Sequence, residues 1–165
     1  MASNNLISNV INKMQVLPLP VRKQAMSKFF GFAVKFFGTA GIRVDEMNAT
    51  RTVMTLKNRT KVQNHIGTVH AAAMSLLAES ATGLLVAYTL PDNKLPLMKS
   101  MSFNYVKRAA PGELVAVAEL TPSQLDSIRN DDKGEVSVKV TITDSKGVEP
   151  VICDMLWAWV PKKRS

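Results

Sequence analysis

The sequence predicts one α+β domain in which a six-stranded antiparallel sheet surrounds a single apolar helix. Three observations carry that expectation. Periodicity along the chain reads as two strands, one long apolar helix and four further strands. No alternation of strand and helix calls for a parallel sheet. The 165 residues suit one core, which at that length buries about two-thirds of the surface of an unfolded chain. A hydrophobic share of 46% and a charged share of 21% are those of a globular protein rather than a disordered one.

The first 37 residues read as helical and are divided by Pro18 and Pro20 into pieces at 5–16 and 21–37. In the second, Met26, Phe29, Phe30, Ala33, Phe36 and Phe37 recur at helical spacing, with Gln24, Ser27, Lys28 and Lys35 opposite. This basic amphipathic helix is expected to pack its aromatic stripe on the core or on a neighbouring subunit. Contact with a membrane surface, or a lid over an apolar pocket, is the alternative. Residues 1–37 are thus a helical extension and 38–165 the main domain, with no internal repeat or linker.

From Gly38 the period shortens. GIRVDEMNATRTVMTLKN alternates apolar and polar residues, as two strands meeting near Asn48–Ala49 would. Residues 66–88 lack alternation and are apolar almost all round, which predicts a buried helix ended by Pro91–Asp92–Asn93. Four strands follow, at 97–108, 113–121, 134–144 and 148–160, punctuated by Pro111–Gly112, Asp131–Asp132–Lys133–Gly134 and Ser145–Lys146–Gly147.

No membrane span is expected, on the reading that Lys and Arg interrupt every apolar run before about 18 residues, and no secretory signal is expected at the N-terminus. The single Cys153 fits a reducing, cytoplasmic setting. With two histidines and one cysteine, a zinc site would have to borrow carboxylates, and no metal is expected. A formal charge of +8 favours partners that carry phosphates. Nucleic acid is not expected, because no known binding module or interleaved basic and aromatic surface accompanies the charge.

The stretch NHIGTVHAAAMSLLAESATG, 64–83, sets an amide, an imidazole and a carboxylate around the start of the apolar helix. Glu79 is the anomaly, since an ionised carboxylate on a buried helix costs several kcal/mol unless paired or used. A paired or surface-reaching Glu79, and a capping or core-bonded His70, are the plain alternatives. Nine residues at 100° place Glu79 about 180° round the axis from His70 and roughly 13 Å farther along. A two-fold axis beside the helix would bring the His70 end of one copy to Glu79 of another.

This segment resembles the hotdog thioesterases, in particular the phenylacetate-pathway and related acyl-CoA thioesterases. The resemblance rests on Asn64, Gly67, His70 and Glu79, with Gly83 closing the pattern and NYVKRAAPGEL at 104–114 as a second match. It covers roughly 40–160 in element order and implies a hotdog fold, a dimer or tetramer, and hydrolysis of an acyl-CoA thioester. Coenzyme A enters as part of the substrate, and no other cofactor is implied.

By that resemblance, Asn64 and the N–H of Ala71 polarise the thioester carbonyl, His70 orients the loop, and Glu79 of the partner copy acts as nucleophile or general base. Gly67 and Ser100 are further substrate-binding candidates. Leu76, Leu77 and Ser80 border the acyl end, and Lys99, Lys107 and Arg108 meet the coenzyme A phosphates. Two features depart from the pattern. Ala71–Ala72 stands where the family has Gly-Gly, and the hydroxyl that some members place after the helix aligns nearest Met98, with Ser100 two residues on. Both are familiar in an uncharacterised branch of the superfamily. A non-catalytic acyl-CoA or fatty-acyl binding protein on the same fold is therefore the second functional reading.

Overall fold

The computed structural model describes residues 5–163. Helices α1 (Leu6–Met14), α2 (Leu19–Ala33) and α3 (Lys35–Ala40) lead into strands β1 (Arg43–Met47) and β2 (Arg51–Lys57). The long helix α4 (Ala71–Thr89) follows, then β3 (Lys94–Tyr105), β4 (Glu113–Glu119), helix α5 (Pro122–Asn130), and strands β5 (Gly134–Ser137), β6 (Lys139–Thr143) and β7 (Val151–Pro161).

All pairings are antiparallel, in the orders β1-β2-β4-β6 and β3-β7-β5. Only Val138 separates β5 from β6, and its N–H still donates to the carbonyl of Met155 at 2.9 Å. The two runs are halves of one bent strand that passes from one sheet to the other, so six strands wrap α4 as the periodicity requires. Leu114, Ala116 and Ala118 alternate inward from β4, and Leu77, Ala81 and Leu85 on α4 are fully buried in the same core. This is the hotdog fold.

Three expectations need correction. The helix expected at 66–88 starts at Ala71, because 62–70 is a loop closed by its own hydrogen bonds. The helix expected at 21–37 is two helices that break at Val34 (φ −115, ψ 98). The break lets Gly31 and Gly38 meet so closely that a Cβ on Gly38 would sit 2.5 Å from the Gly31 carbonyl oxygen. Phe30 and Phe37 stay in the core at 2% and 1% exposure, but Phe36 turns outward at 61% and Phe32 stands at 80%. Third, α4 contains no Lys or Arg and is long and apolar enough by length and composition to cross a membrane; most of it is buried inside the sheet.

Two features lie outside the sequence reading. Helix α5 opens on a capping box between Thr121 and Gln124 with Pro122 in its first turn, a local start signal. Its C-terminus is closed by the buried Lys94, whose ammonium donates to the carbonyls of Ile128, Arg129 and Asp131 at 3.3, 3.0 and 2.7 Å. Cations are favoured there by the helix dipole. Asn5 serves two helices: it caps the start of α1 and its amide donates to the carbonyls of Ala87, Tyr88 and Leu90 at the end of α4.

Gly83 shows why the central helix must lie so close to β7. A Cβ there would be 2.5 Å from both Cη2 and Cζ2 of Trp157, whose indole is pinned by a 2.9 Å bond from Nε1 to the Thr82 hydroxyl. On an exposed helix, Gly→Ala gains about 1 kcal/mol. Here the overpacking should outweigh that, so Gly83→Ala is expected to lose about 1–2 kcal/mol, a fall of several degrees in Tm. A thermal melt showing no fall would contradict this packing.

Candidate functional site

The loop before α4 is built by Asn64. Its backbone N–H donates to the Thr68 carbonyl at 2.9 Å, and its carbonyl accepts from Gly67 N–H at 3.1 Å. The side-chain oxygen accepts from the N–H groups of Ile66 and Thr68, and the amide nitrogen donates to the Thr68 hydroxyl at 2.8 Å. Gly67 is required for its conformation (φ +76), since no atom lies within 4 Å of where a Cβ would be. His70 then closes the loop with a 2.8 Å bond from its N–H to the Val62 carbonyl.

His70 is the N-cap of α4. Its Nδ1 accepts from the Ala72 N–H at 3.0 Å, so the neutral ring carries its proton on Nε2. The capping alternative for this histidine is therefore the observed one. Ala71 is the first helical residue, and its N–H has no hydrogen-bond partner among the described residues. Only glycines have positive φ among those residues, so the Ala-Ala pair sits unstrained where the family has Gly-Gly. The exposed N–H at the head of a 19-residue helix is a donor backed by the helix dipole.

Tyr105 and Ser75 complete this end, and the sequence reading gave neither a role. Tyr105 lies within the 104–114 match, and Ser75 one helical turn past Ala71. The phenol donates to the Ala71 carbonyl at 3.0 Å and lies 2.8 Å from the Ser75 hydroxyl, tying the end of β3 to the start of α4. Beside the N-cap opens a cavity of about 170 Å³ bordered by Phe36, Val62, His70, Ala72 and Leu76.

Glu79 faces a second cavity, of about 180 Å³, with Phe37, Ser80, Gly83, Leu84 and Trp157. The two cavities share no lining residue. The carboxylate makes no ion pair among the described residues, so none of them supplies the paired alternative. Burial raises its carboxyl above the usual carboxylate range, partly offset by the adjacent Ser80 hydroxyl. That hydroxyl is itself buried without a well-formed hydrogen bond, so the offset is a proximity effect.

The remaining candidates divide. Leu76 borders the first cavity and Ser80 the second. Leu77 lines neither cavity: it is fully buried, on the stripe it shares with Ala81 and Leu85. Arg108 reaches the loop, with Nη2 3.4 Å from the Ile66 carbonyl, and exposed Lys107 precedes it. Lys99 is held in an ion pair with Glu135 on β5, about 20 Å along β3 from Tyr105. Ser100 is exposed beyond the bulge at Lys99 and lines neither cavity.

Residues 22–160 match the family described as domain of unknown function DUF4442. No curated protein matches the sequence. Among solved structures, the chain is similar to a Pseudomonas aeruginosa protein of unknown function described as a probable thioesterase. That match has 20% identity and a TM-score of 0.73, covering 88% of this chain and 97% of that one. A variant of a Staphylococcus aureus thioesterase enzyme is 21% identical with a TM-score of 0.66, covering 78% and 100%. A Haemophilus influenzae thioesterase is 13% identical with a TM-score of 0.67, covering 88% and 92%. At these identities the likeness is one of fold.

Proposed function

As this chain belongs to the DUF4442 family and has the hotdog fold, we propose that it hydrolyses an acyl-CoA thioester at a site completed by a second copy of itself. The observation that carries the reading is Glu79: half-buried, in no ion pair among the described residues, and facing an apolar cavity. Such a carboxylate is costly to keep unless it has a use.

The edge strand supports the sharing. Among the described residues β3 pairs only with β7, and Leu95, Leu97, Met101 and Tyr105 on it are exposed. Its Tyr105 end is bonded to the start of α4, while Pro96 near its other end borders the cavity of Glu79. Two β3 edges paired antiparallel about a two-fold near Ser100–Met101 would set the helix start of one copy opposite Glu79 of the other. The exposed apolar edge would be covered by the same contact.

In this arrangement the Ala71 N–H and the remaining Asn64 amide N–H hold the thioester oxygen, where negative charge develops. Glu79 of the second copy takes a proton from water as it attacks the carbonyl, or attacks directly to form an anhydride that water then opens. The C–S bond breaks and coenzyme A leaves as its thiol. His70 and Tyr105 act by position, holding the first turn of α4. Arg108 and Lys107 are placed for the phosphates. Cys153 is not the nucleophile, because burial and the nearby Glu149 and Asp154 push its thiol up to about 11.

Glu79 must be ionised to act, and its carboxyl titrates above the ordinary carboxylate range. Activity is therefore expected to fall, as pH is lowered, at a higher pH than a solvated glutamate would give. A pH profile of kcat whose acid limb lies at the ordinary value would count against this role. The activity is tested with a thioester panel scored by free thiol release, alongside binding of a non-hydrolysable acyl-CoA. Saturable binding with no turnover on any thioester would select the binding protein instead. That second reading is favoured by Asn64, which spends most of its amide on the loop.

A further inference from the structure

We infer that the junction of α2 and α3 is a docking surface for an anionic lipid bilayer. Residues 32–36, Phe-Ala-Val-Lys-Phe, are all exposed. Phe32 and Phe36 are among the largest apolar side chains left outside the core. The core needs neither ring, because Met26, Phe30 and Phe37 already fill it from the same two helices. The helix pair thus has two apolar faces, one spent on the fold and one on something else.

Charge identifies the occupant. Residues 1–44 contain Lys13, Arg22, Lys23, Lys28, Lys35 and Arg43 and no Asp or Glu; Lys23 and Arg43 are paired with Asp45, which leaves Lys13, Arg22, Lys28 and Lys35 outside any ion pair among the described residues. Lys28 and Lys35 are exposed, and the Lys35 ammonium lies 4.1 Å from the centre of the Phe32 ring. Aromatic rings flanked by lysines suit the boundary between acyl chains and anionic headgroups. A second copy docking on the same face would oppose like charges in an isologous contact. Val34 and Phe36 also border the two cavities beside α4, so a docked chain would present both to the bilayer. The docking itself does not depend on hydrolysis.

The test is flotation of the full chain with vesicles of phosphatidylglycerol mixed with phosphatidylcholine, against vesicles of phosphatidylcholine alone. Binding is expected only to the anionic vesicles and is expected to fall as salt is raised. Phe32→Ser and Phe36→Ser should each weaken it at least about tenfold, the worth of one buried aromatic side chain. Lys28→Gln and Lys35→Gln, at exposed sites that leave the fold intact, should each weaken it about fivefold. No binding to anionic vesicles, or equal binding by wild type and all four variants, would overturn the proposal. So would a fall in oligomer mass by light scattering in the Phe variants, which would make the face an interface between copies.

Discussion

Glu79→Gln is expected to cut turnover at least about 100-fold while leaving acyl-CoA binding nearly unchanged, the scale for losing a positioned acid–base group. The amide keeps the shape of the side chain and removes only its ability to accept a proton or attack a carbonyl. Stability should not suffer. Because burial raises the folded carboxyl above its unfolded value, the ionised form is the destabilised one at neutral pH, and a neutral amide relieves that cost. A variant that is more stable and less active is the signature of a residue kept for function. Retained turnover with unchanged binding would return Glu79 to a half-buried surface residue.

Ala71→Pro tests the other half of the site. Proline has no N–H, and the Ala71 N–H is the donor proposed for the carbonyl oxygen. The first turn of a helix is where proline is tolerated, since that N–H bonds to nothing inside the helix. The preceding residue must be extended, and His70 already is (φ −64, ψ 144). Turnover is expected to fall about 100- to 1,000-fold, as when one oxyanion donor is lost. The melting temperature should hold or rise, because proline also stiffens the unfolded chain. Wild-type turnover from a well-folded Ala71→Pro protein would show that this N–H does not touch the substrate.

The succession of strands and central helix along the chain was legible because both periods are clean: alternation in 43–57 and 113–119, and its absence around 71–89. What escaped was short or dependent on close contact. Helix α5 has too few residues for a persuasive stripe, and its Thr121–Gln124 box was the available signal. The break at Val34 follows from two glycines touching across a turn, which periodicity does not report. Of the candidate residues, Asn64, Gly67 and His70 share one loop at the head of α4, while Glu79 lies at a separate cavity, as the nine-residue spacing implies. Leu77 turns into the core, since an apolar residue beside Glu79 is as readily core as lining, and only the rotation of α4 decides. Lys99, a phosphate candidate by the resemblance, is paired with Glu135 two strands away, a contact that the sequence does not report.

The proposed site takes its carbonyl donor from one copy and its carboxylate from the other. Mixing Ala71→Pro with Glu79→Gln tests it directly, since each protein alone is expected to be nearly inactive. In a mixed dimer one site receives both lesions and the other receives neither. With random exchange, half the dimers are mixed and half their sites are intact, so co-refolded protein should recover about a quarter of wild-type thiol release, as the symmetry of an isologous dimer requires. Verified mixed dimers with no more activity than the parent variants would contradict the shared site.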